Sequence, residues 1–474
     1  MASIYWHDYE TTGTDPAWDR PIQFAGIRTD EELNILGEPL VLYCKPSRDI
    51  LPHPRACLIT GITPQHAERE GVPEPEFIRR IYEEIAAPGT CGAGYNSLRF
   101  DDEVTRHTLY RNFYDPYERE WRNGNSRWDI IDMLRLARAL RPDGIAWPTR
   151  DDGSPSFRLE ELTAANGIGH ENAHDALSDV MATIAMARLV REHQPKLYQY
   201  VYETRVKHRV AALVDPVGRR PFLHVSGRLP RENGYTALMI PLCQHPTNKN
   251  GILAFNLMSD PVPLLQLDAE AIRERVFTRG EDLDEGVERL ALKTVHINRC
   301  PVVATPKLMD AAVAQRLGID VARCERHWEM LKNADIGDKL ARVFGESERS
   351  GERDAELSLY GGFLPDADRP LLAAVRAADA AELATGSFPF TDRRYRELLL
   401  RYKGRHYPQA LSEDERCQWL EFRERRLSEP GPGRMGLEAY FDELDALEAT
   451  CDSERDRHII AALREWGDEL VASE

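Results

Sequence analysis

The residues of this chain best suited to chemistry are acids. His7-Asp8-Tyr9-Glu10-Thr11-Thr12-Gly13 sets two carboxylates two positions apart. Alternate residues of a strand face the same way, so Asp8 and Glu10 share a face, their Cα atoms about 6.6–7 Å apart. Carboxylates so spaced can share one divalent cation or each hold part of a metal pair. Two solvated acids at a strand end satisfy the same pattern. A second group is Gly94-Tyr95-Asn96-Ser97-Leu98-Arg99-Phe100-Asp101, where Asp101 either joins a metal site or caps a helix beginning at Asp102. The third, His174-Asp175-Ala176-Leu177-Ser178-Asp179, puts a histidine five residues before an aspartate in the first turns of a helix. Taken alone, such a histidine is more often a capping or surface residue.

Elements of two kinds must position these groups. Residues 3–9 and 39–44 read as strands, and helical patterns occupy 74–85, 102–113, 130–140 and 176–190. Strands interleaved with helices predict an α/β domain over about the first 190 residues. Gln194-Pro195 marks the end of its last helix. Beyond residue 198, short apolar runs at 222–225, 237–240, 252–257 and 294–297 lie between Gly, Pro and Asn clusters, the texture of a small β-rich domain. From Glu346 onward the pattern is helical and strongly charged. Ser412 and Glu415 fit a capping box, and the 429–433 segment breaks the chain before a final helical pair.

Composition bounds the possibilities. A chain of 474 residues is long enough for three domains, and 42% hydrophobic residues suffice for a core without disulfides. No long uncharged apolar run suggests a membrane span, and residues 1–9 lack the features of a signal peptide. The eight cysteines are scattered without a CxxC pair, which predicts reduced thiols in a cytoplasmic protein rather than a zinc or redox motif. The net charge of −18 opposes a nucleic-acid partner at first sight. From 346 to the end, however, 18 Lys/Arg face 29 Asp/Glu, whereas from 99 to 158 eleven arginines balance eleven acids. Bound Mg²⁺ would offset further negative charge.

In order, the three acidic groups resemble the DEDD exonuclease superfamily in its histidine-bearing branch. The sibling branch carries a tyrosine four residues before the last aspartate, and this sequence does not. The resemblance implies a ribonuclease-H-like fold with a mixed five-stranded sheet. It also implies Asp8, Glu10, Asp101 and Asp179 as ligands of two Mg²⁺ or Mn²⁺ ions, with His174 as general base. The chemistry is consistent: two such ions activate water and clamp a leaving oxygen, and carboxylates suit hard cations.

Longer stretches narrow the likeness. HDYETTGTDPAWDRPIQFAGIRTD (7–30), LITGITPQHA (58–67), GYNSLRFDDEVTRHTLYRNFYDPY (94–117), NSRWDIIDMLRLARALRPDGIAWP (125–148), PSFRLEELTAANGI (155–168), HVSGRLP (224–230) and TVHINRCPV (294–302) are similar to the bacterial exonuclease I family. That resemblance implies an exonuclease domain over 1–195, an SH3-like domain over 196–345 and a C-terminal helical domain over 346–474. It implies processive 3'→5' degradation of single-stranded DNA to 5'-mononucleotides, in repair and recombination, by a cytoplasmic monomer. Substrate contacts follow for Glu10, Arg158, Arg106, Tyr117, Trp121, Arg135 and Phe157: arginines neutralise phosphates and aromatics stack on bases. Trp121 and Tyr117 read equally as core, and Arg135 as an ordinary exposed helix arginine. A basic cluster (Arg205, Lys207, His208, Arg209, Arg219, Arg220) suits DNA, a solvated face, or the acidic C-terminal tail of single-stranded-DNA-binding protein, which the family binds.

Overall fold

Strand β1 (Ser3–Thr11) is buried along nearly its whole length, with only Asp8 and Glu10 half-buried. The reason is its central position in a five-stranded sheet. With β2 (Pro21–Thr29), β3 (Ile35–Tyr43), β4 (Thr90–Gly94) and β5 (Ser126–Asp129), the order is β3-β2-β1-β4-β5. β1 runs antiparallel to β2 and parallel to β4, so the sheet is mixed as expected. The computed structural model describes residues 2–170, 174–345, 354–431 and 434–472.

The helix Glu74–Ile85 occupies the span its periodicity predicts. It lays Phe77, Ile78 and Ile81 against Tyr5, Tyr9 and Phe24 of the sheet, each fully buried side chain stabilising the fold by about 1.5–3 kcal/mol. The expected strand 3–9 continues to Thr11 because β2 keeps pairing with it, Glu10 opposite Gln23. The run 39–44 is the second half of β3. The helix expected at 102–113 is Asp101–Arg111, and that expected at 176–190 is Ala176–His193. β4 (TCGAG) carries no large side chain, so periodicity does not reveal it. Its Gly94 leaves no room for a Cβ, which would lie 2.9 Å from the His7 carbonyl oxygen.

Two compact units emerge. The first comprises Met1–Ser126, His170–Met181 and Glu352–Glu474, so it gathers residues from both ends of the chain. Its later helices include Arg393–His406, Glu413–Ser428, Leu437–Ala449 and Glu454–Ala472. Ser412 and Glu415 form the expected capping box. Tyr110 and Phe113 pack with Phe390, Tyr395, Leu398 and Tyr402 in one core, and Cys57 with Tyr440, Leu463 and Trp466 in another. The same unit holds a buried set of charges. Glu356 meets Arg20 at 2.5 Å, Arg405 at 2.5 Å and Arg426 at 3.0 Å, while Arg405 also holds Asp49 at 2.6 Å. The border expected at Glu346, and Pro432 and Gly433 of the breaker, lie outside the described residues.

The second unit, Arg127–Gly169 with Ala182–Gly351, holds an antiparallel sheet. Its strands are β6 (Phe222–Val225), β7 (Thr236–Gln244), β8 (Gly251–Asn256), β9 (Leu292–His296) and β10 (Val302–Ala304), in the order β10-β6-β7-β8-β9. Phe222, Met239, Ile252, Ala254 and Val295 form its core. Pro241, which has no N–H to give, sits where the β7–β8 register shifts, as a proline inside a sheet requires. All eight cysteines are free thiols. Among the described residues no helix is long and apolar enough to cross a membrane.

Candidate active site

β1 pairs with β4 only from Ser3 to Trp6, so past that point one side of its backbone is open. Asp101 fills the opening: its Oδ1 accepts the Tyr9 N–H at 3.1 Å. Asn96, in the left-handed conformation at φ 58°, turns the chain from β4 towards that position. The helix starts at Asp101 itself, Phe100 holds the cap position, and no side chain caps it. Asp101 is therefore not the cap: its buried carboxylate faces the strand that carries Asp8 and Glu10. Asp101, Asp102 and Glu103 all lie in the first helical turn, where negative charge is favoured.

Asp179 reaches the same place from the helix Ala176–His193. One ligand atom each from Glu10, His174 and Asp179 lie within 4.8 Å of one another. His174 is exposed and adopts φ 68°, a conformation that costs a non-glycine residue about 1–2 kcal/mol. Gln23, buried opposite Glu10, ties down the helix start. Its Nε2 donates to Asp175 Oδ1 at 3.1 Å, and its Oε1 accepts the Ala176 N–H at 3.3 Å. His170 meets Asp179 Oδ1 at 2.5 Å through Nε2.

The electrostatics follow from crowding. Burial, then the carboxylates of Asp101, Glu10 and Asp179, push Asp8 well above the ordinary carboxylate range. Burial, then Asp179, Asp101 and Asp175, carry Glu10 to about 9. Asp179 is also raised, by burial, with the His170 hydrogen bond opposing the shift. Carboxylates that raise one another in this way are matched to a hard divalent cation, whose charge would restore their ionised forms. The donor set, oxygens with one imidazole, fits magnesium or manganese.

The structure thus brings Glu10, His174 and Asp179 together and sets Asp101 against the strand of Asp8 and Glu10. Sequence reasoning missed His170 and Gln23. His170 lies four residues before His174 in sequence; Gln23 carries no signal except its cross-strand pairing with Glu10.

The residues expected along a DNA path divide sharply. Trp121 is 65% exposed and is no part of a core, and Tyr117 is half-buried. Arg106 is buried and engaged: it meets Glu120 at 2.6 Å, Glu103 at 2.8 Å and the Tyr360 hydroxyl at 2.9 Å, with Tyr117 stacked 5.5 Å away. It is not a free cation. In the second unit Arg158 is exposed, with Glu161 no nearer than 3.8 Å. Arg135 is not the exposed helix arginine its pattern suggests. It is enclosed by Phe157 and Tyr235, 5.5 and 5.3 Å away, and paired with Asp132 at 2.5 Å. Phe157 is buried. In the basic cluster Arg219 is structural, donating to the Ala334 carbonyl at 2.7 Å, while Lys207, His208 and Arg220 are exposed.

Family models match three successive regions: an exonuclease domain over 5–187, an exonuclease I SH3-like domain over 205–346 and an exonuclease I C-terminal domain over 353–470. Exodeoxyribonuclease I of Escherichia coli is 45% identical over 474 residues, covering 99% of this chain and 98% of that protein. The chain belongs to the exonuclease I family. Membership makes it an exodeoxyribonuclease and accounts for the SH3-like sheet. The family's solved structures agree. A moderately thermophilic exonuclease I from Methylocaldum szegediense superposes with a TM-score of 0.95 at 52% identity, covering 99% of this chain and all of that one. The E. coli enzyme in complex with a dA16 oligonucleotide gives 0.94 at 44%, with the same coverage. A zinc-bound form of the E. coli complex with single-stranded DNA gives 0.93 at 44%, again with the same coverage.

Proposed function

We propose that this exonuclease hydrolyses single-stranded DNA processively from its 3' end, releasing 5'-mononucleotides, with two divalent ions held by Asp8, Glu10, Asp101 and Asp179. The observation that carries the reading is the approach of Glu10, Asp179 and His174 to within 4.8 Å beside two further acids. The oligonucleotide and zinc complexes of the E. coli relative support it. Mg²⁺ is the ion we assign, with Mn²⁺ as a substitute. When bound, such a pair supplies Lewis acidity at the terminal phosphodiester.

The remaining work belongs to the chain. Water adds to phosphorus, an imidazole nitrogen of His174 takes the water's proton, and the bond to the 3' oxygen breaks, that oxygen taking a proton from solvent to become the 3'-hydroxyl of the shortened strand. The exposure of His174 leaves it free to exchange that proton with solvent. Trp121 offers a stacking face to a base, and Arg158 offers charge to a phosphate near the scissile end. Arg106 acts through its hold on Tyr117, and Arg135 through the stack with Phe157. We assign the exonuclease domain to 1–195, the SH3-like domain to 196–345 and the helical domain to 346–474. We further propose a monomer that works in DNA repair in the cytoplasm and binds the tail of single-stranded-DNA-binding protein.

Purified protein incubated with end-labelled single-stranded DNA, duplex DNA or RNA, with and without Mg²⁺, tests the reading. Single-stranded DNA is expected to be digested fastest, only with metal, and Asp8→Ala to abolish cleavage while retaining DNA binding. Preferred digestion of RNA, or undiminished turnover by Asp8→Ala, refutes it.

A further inference from the structure

Four residues before His174 stands a second histidine with a different environment. His170 Nε2 lies 2.5 Å from Asp179 Oδ1, and its side chain is 4% exposed, against 18% for Asp179. A carboxylate oxygen only accepts, so Nε2–H donates. Asp179 is also fixed from its own backbone, whose N–H donates to the Asp175 carbonyl at 3.1 Å. Its carboxylate therefore meets two imidazoles: the enclosed side chain of His170, and the exposed His174 that also approaches Glu10.

We infer that His170 is a positioning residue: its Nε2–H fixes one oxygen of Asp179 and so aims that carboxylate at the metal position shared with Glu10. This rests on the metal reading of the site given above. Three physical points carry it. Asp179 sits among carboxylates that repel it, and an unrestrained side chain would rotate away from them. A directed donor on one oxygen opposes that rotation. Hydrogen bonds to ligating carboxylates commonly contribute 10–100-fold to metal affinity. Neither histidine substitutes for the other, because His170 is too enclosed to trade protons with solvent and His174 faces outward.

The test measures Mn²⁺ binding directly, from the free-ion electron paramagnetic resonance signal. It is paired with the Mg²⁺ concentration giving half-maximal hydrolysis of labelled single-stranded DNA and with thermal melting of each variant. The proteins are wild type, His170→Ala, His170→Gln (whose amide N–H reaches the same oxygen) and Asp8→Ala. For His170→Ala, the Mn²⁺ Kd and the half-saturating Mg²⁺ are expected to rise about 10–100-fold. The kcat at saturating metal should stay within a few-fold of wild type. His170→Gln should recover most of the affinity. Wild-type Mn²⁺ affinity in His170→Ala overturns the inference, as does a loss in His170→Gln equal to that in His170→Ala when both melt like wild type. If His170→Ala does not fold, His170→Gln against wild type decides: a Kd within about threefold upholds the positioning role, and a full loss overturns it. If instead wild type and Asp8→Ala bind Mn²⁺ equally, the metal reading itself is lost and the role of His170 with it.

Discussion

Arg106 and Trp121 show how environment separates residues of similar promise. The Arg106 guanidinium is enclosed by Glu103, Glu120 and Tyr360, which hold it firmly charged but leave it no free donor face. Trp121 projects into solvent. Trp121→Ala is therefore expected to weaken single-stranded-DNA binding by about 1–3 kcal/mol with little change in melting temperature. Arg106→Ala is expected to do the reverse, lowering stability while leaving a much smaller binding defect. Fluorescence anisotropy and thermal melts on the two variants check this, and equal binding losses would contradict it. At this scale the sequence was most informative for residues whose type admits few roles. Asp8 and Glu10 are legible because a strand fixes their common face. Arg106 and Arg135 are not, because an arginine pattern is the same whether its partner is a phosphate, Glu120 or Asp132.

Among elements, the short strand β6 carries a pH dependence. His224 lies on it fully buried, its Nδ1–H donating to the Val302 carbonyl at 3.0 Å. Burial, then the nearby Lys293 ammonium, lowers its pKa from 6.5 to about 3. The folded form is thus neutral where the unfolded chain already binds a proton. Stability is complete above pH 6.5 and is lost as pH falls through the window from 6.5 towards 3, by about 1.4 kcal/mol per pH unit for this group. His224→Asn keeps a donor but cannot titrate, so its denaturant stability between pH 6.5 and 4 is expected to fall with a slope shallower by about that amount; parallel slopes would refute the assignment. A strongly periodic element such as Glu74–Ile85, and a compact apolar run such as β6, were fully legible. β4, β5 and β10 were not, because strands this short or this poor in large side chains draw their stability from neighbours rather than from their own pattern, and β2 was not, because it is buried on both faces and so shows no alternation.

For the molecule as a whole, the decisive feature is the charge cluster in the first unit. Burial alone would raise Glu356, but the guanidiniums of Arg405, Arg426, Arg20 and Arg401 hold it well below the carboxylate range. Glu356→Gln leaves those cations facing a neutral amide. It is expected to destabilise the protein by about 3–5 kcal/mol, read as a loss in the denaturant midpoint; a change below about 1 kcal/mol would sink this account. Nothing in the sequence marks the cluster. Arg20 and Glu356 are ordinary residues in separate regions, and the net acidity of the C-terminal region conceals that its arginines are the buried partners.

That cluster also sets a schedule for the nascent chain. Arg20 leaves the ribosome 336 residues before Glu356, and at about 5–20 residues per second it waits on the order of half a minute. Throughout that interval Arg20 and Asp49 lack their buried partners, so the sheet that bears Asp8 and Glu10 cannot reach its final packing. The nuclease sheet therefore gains its full set of buried charges only after Glu356, Arg405 and Arg426 have all been made.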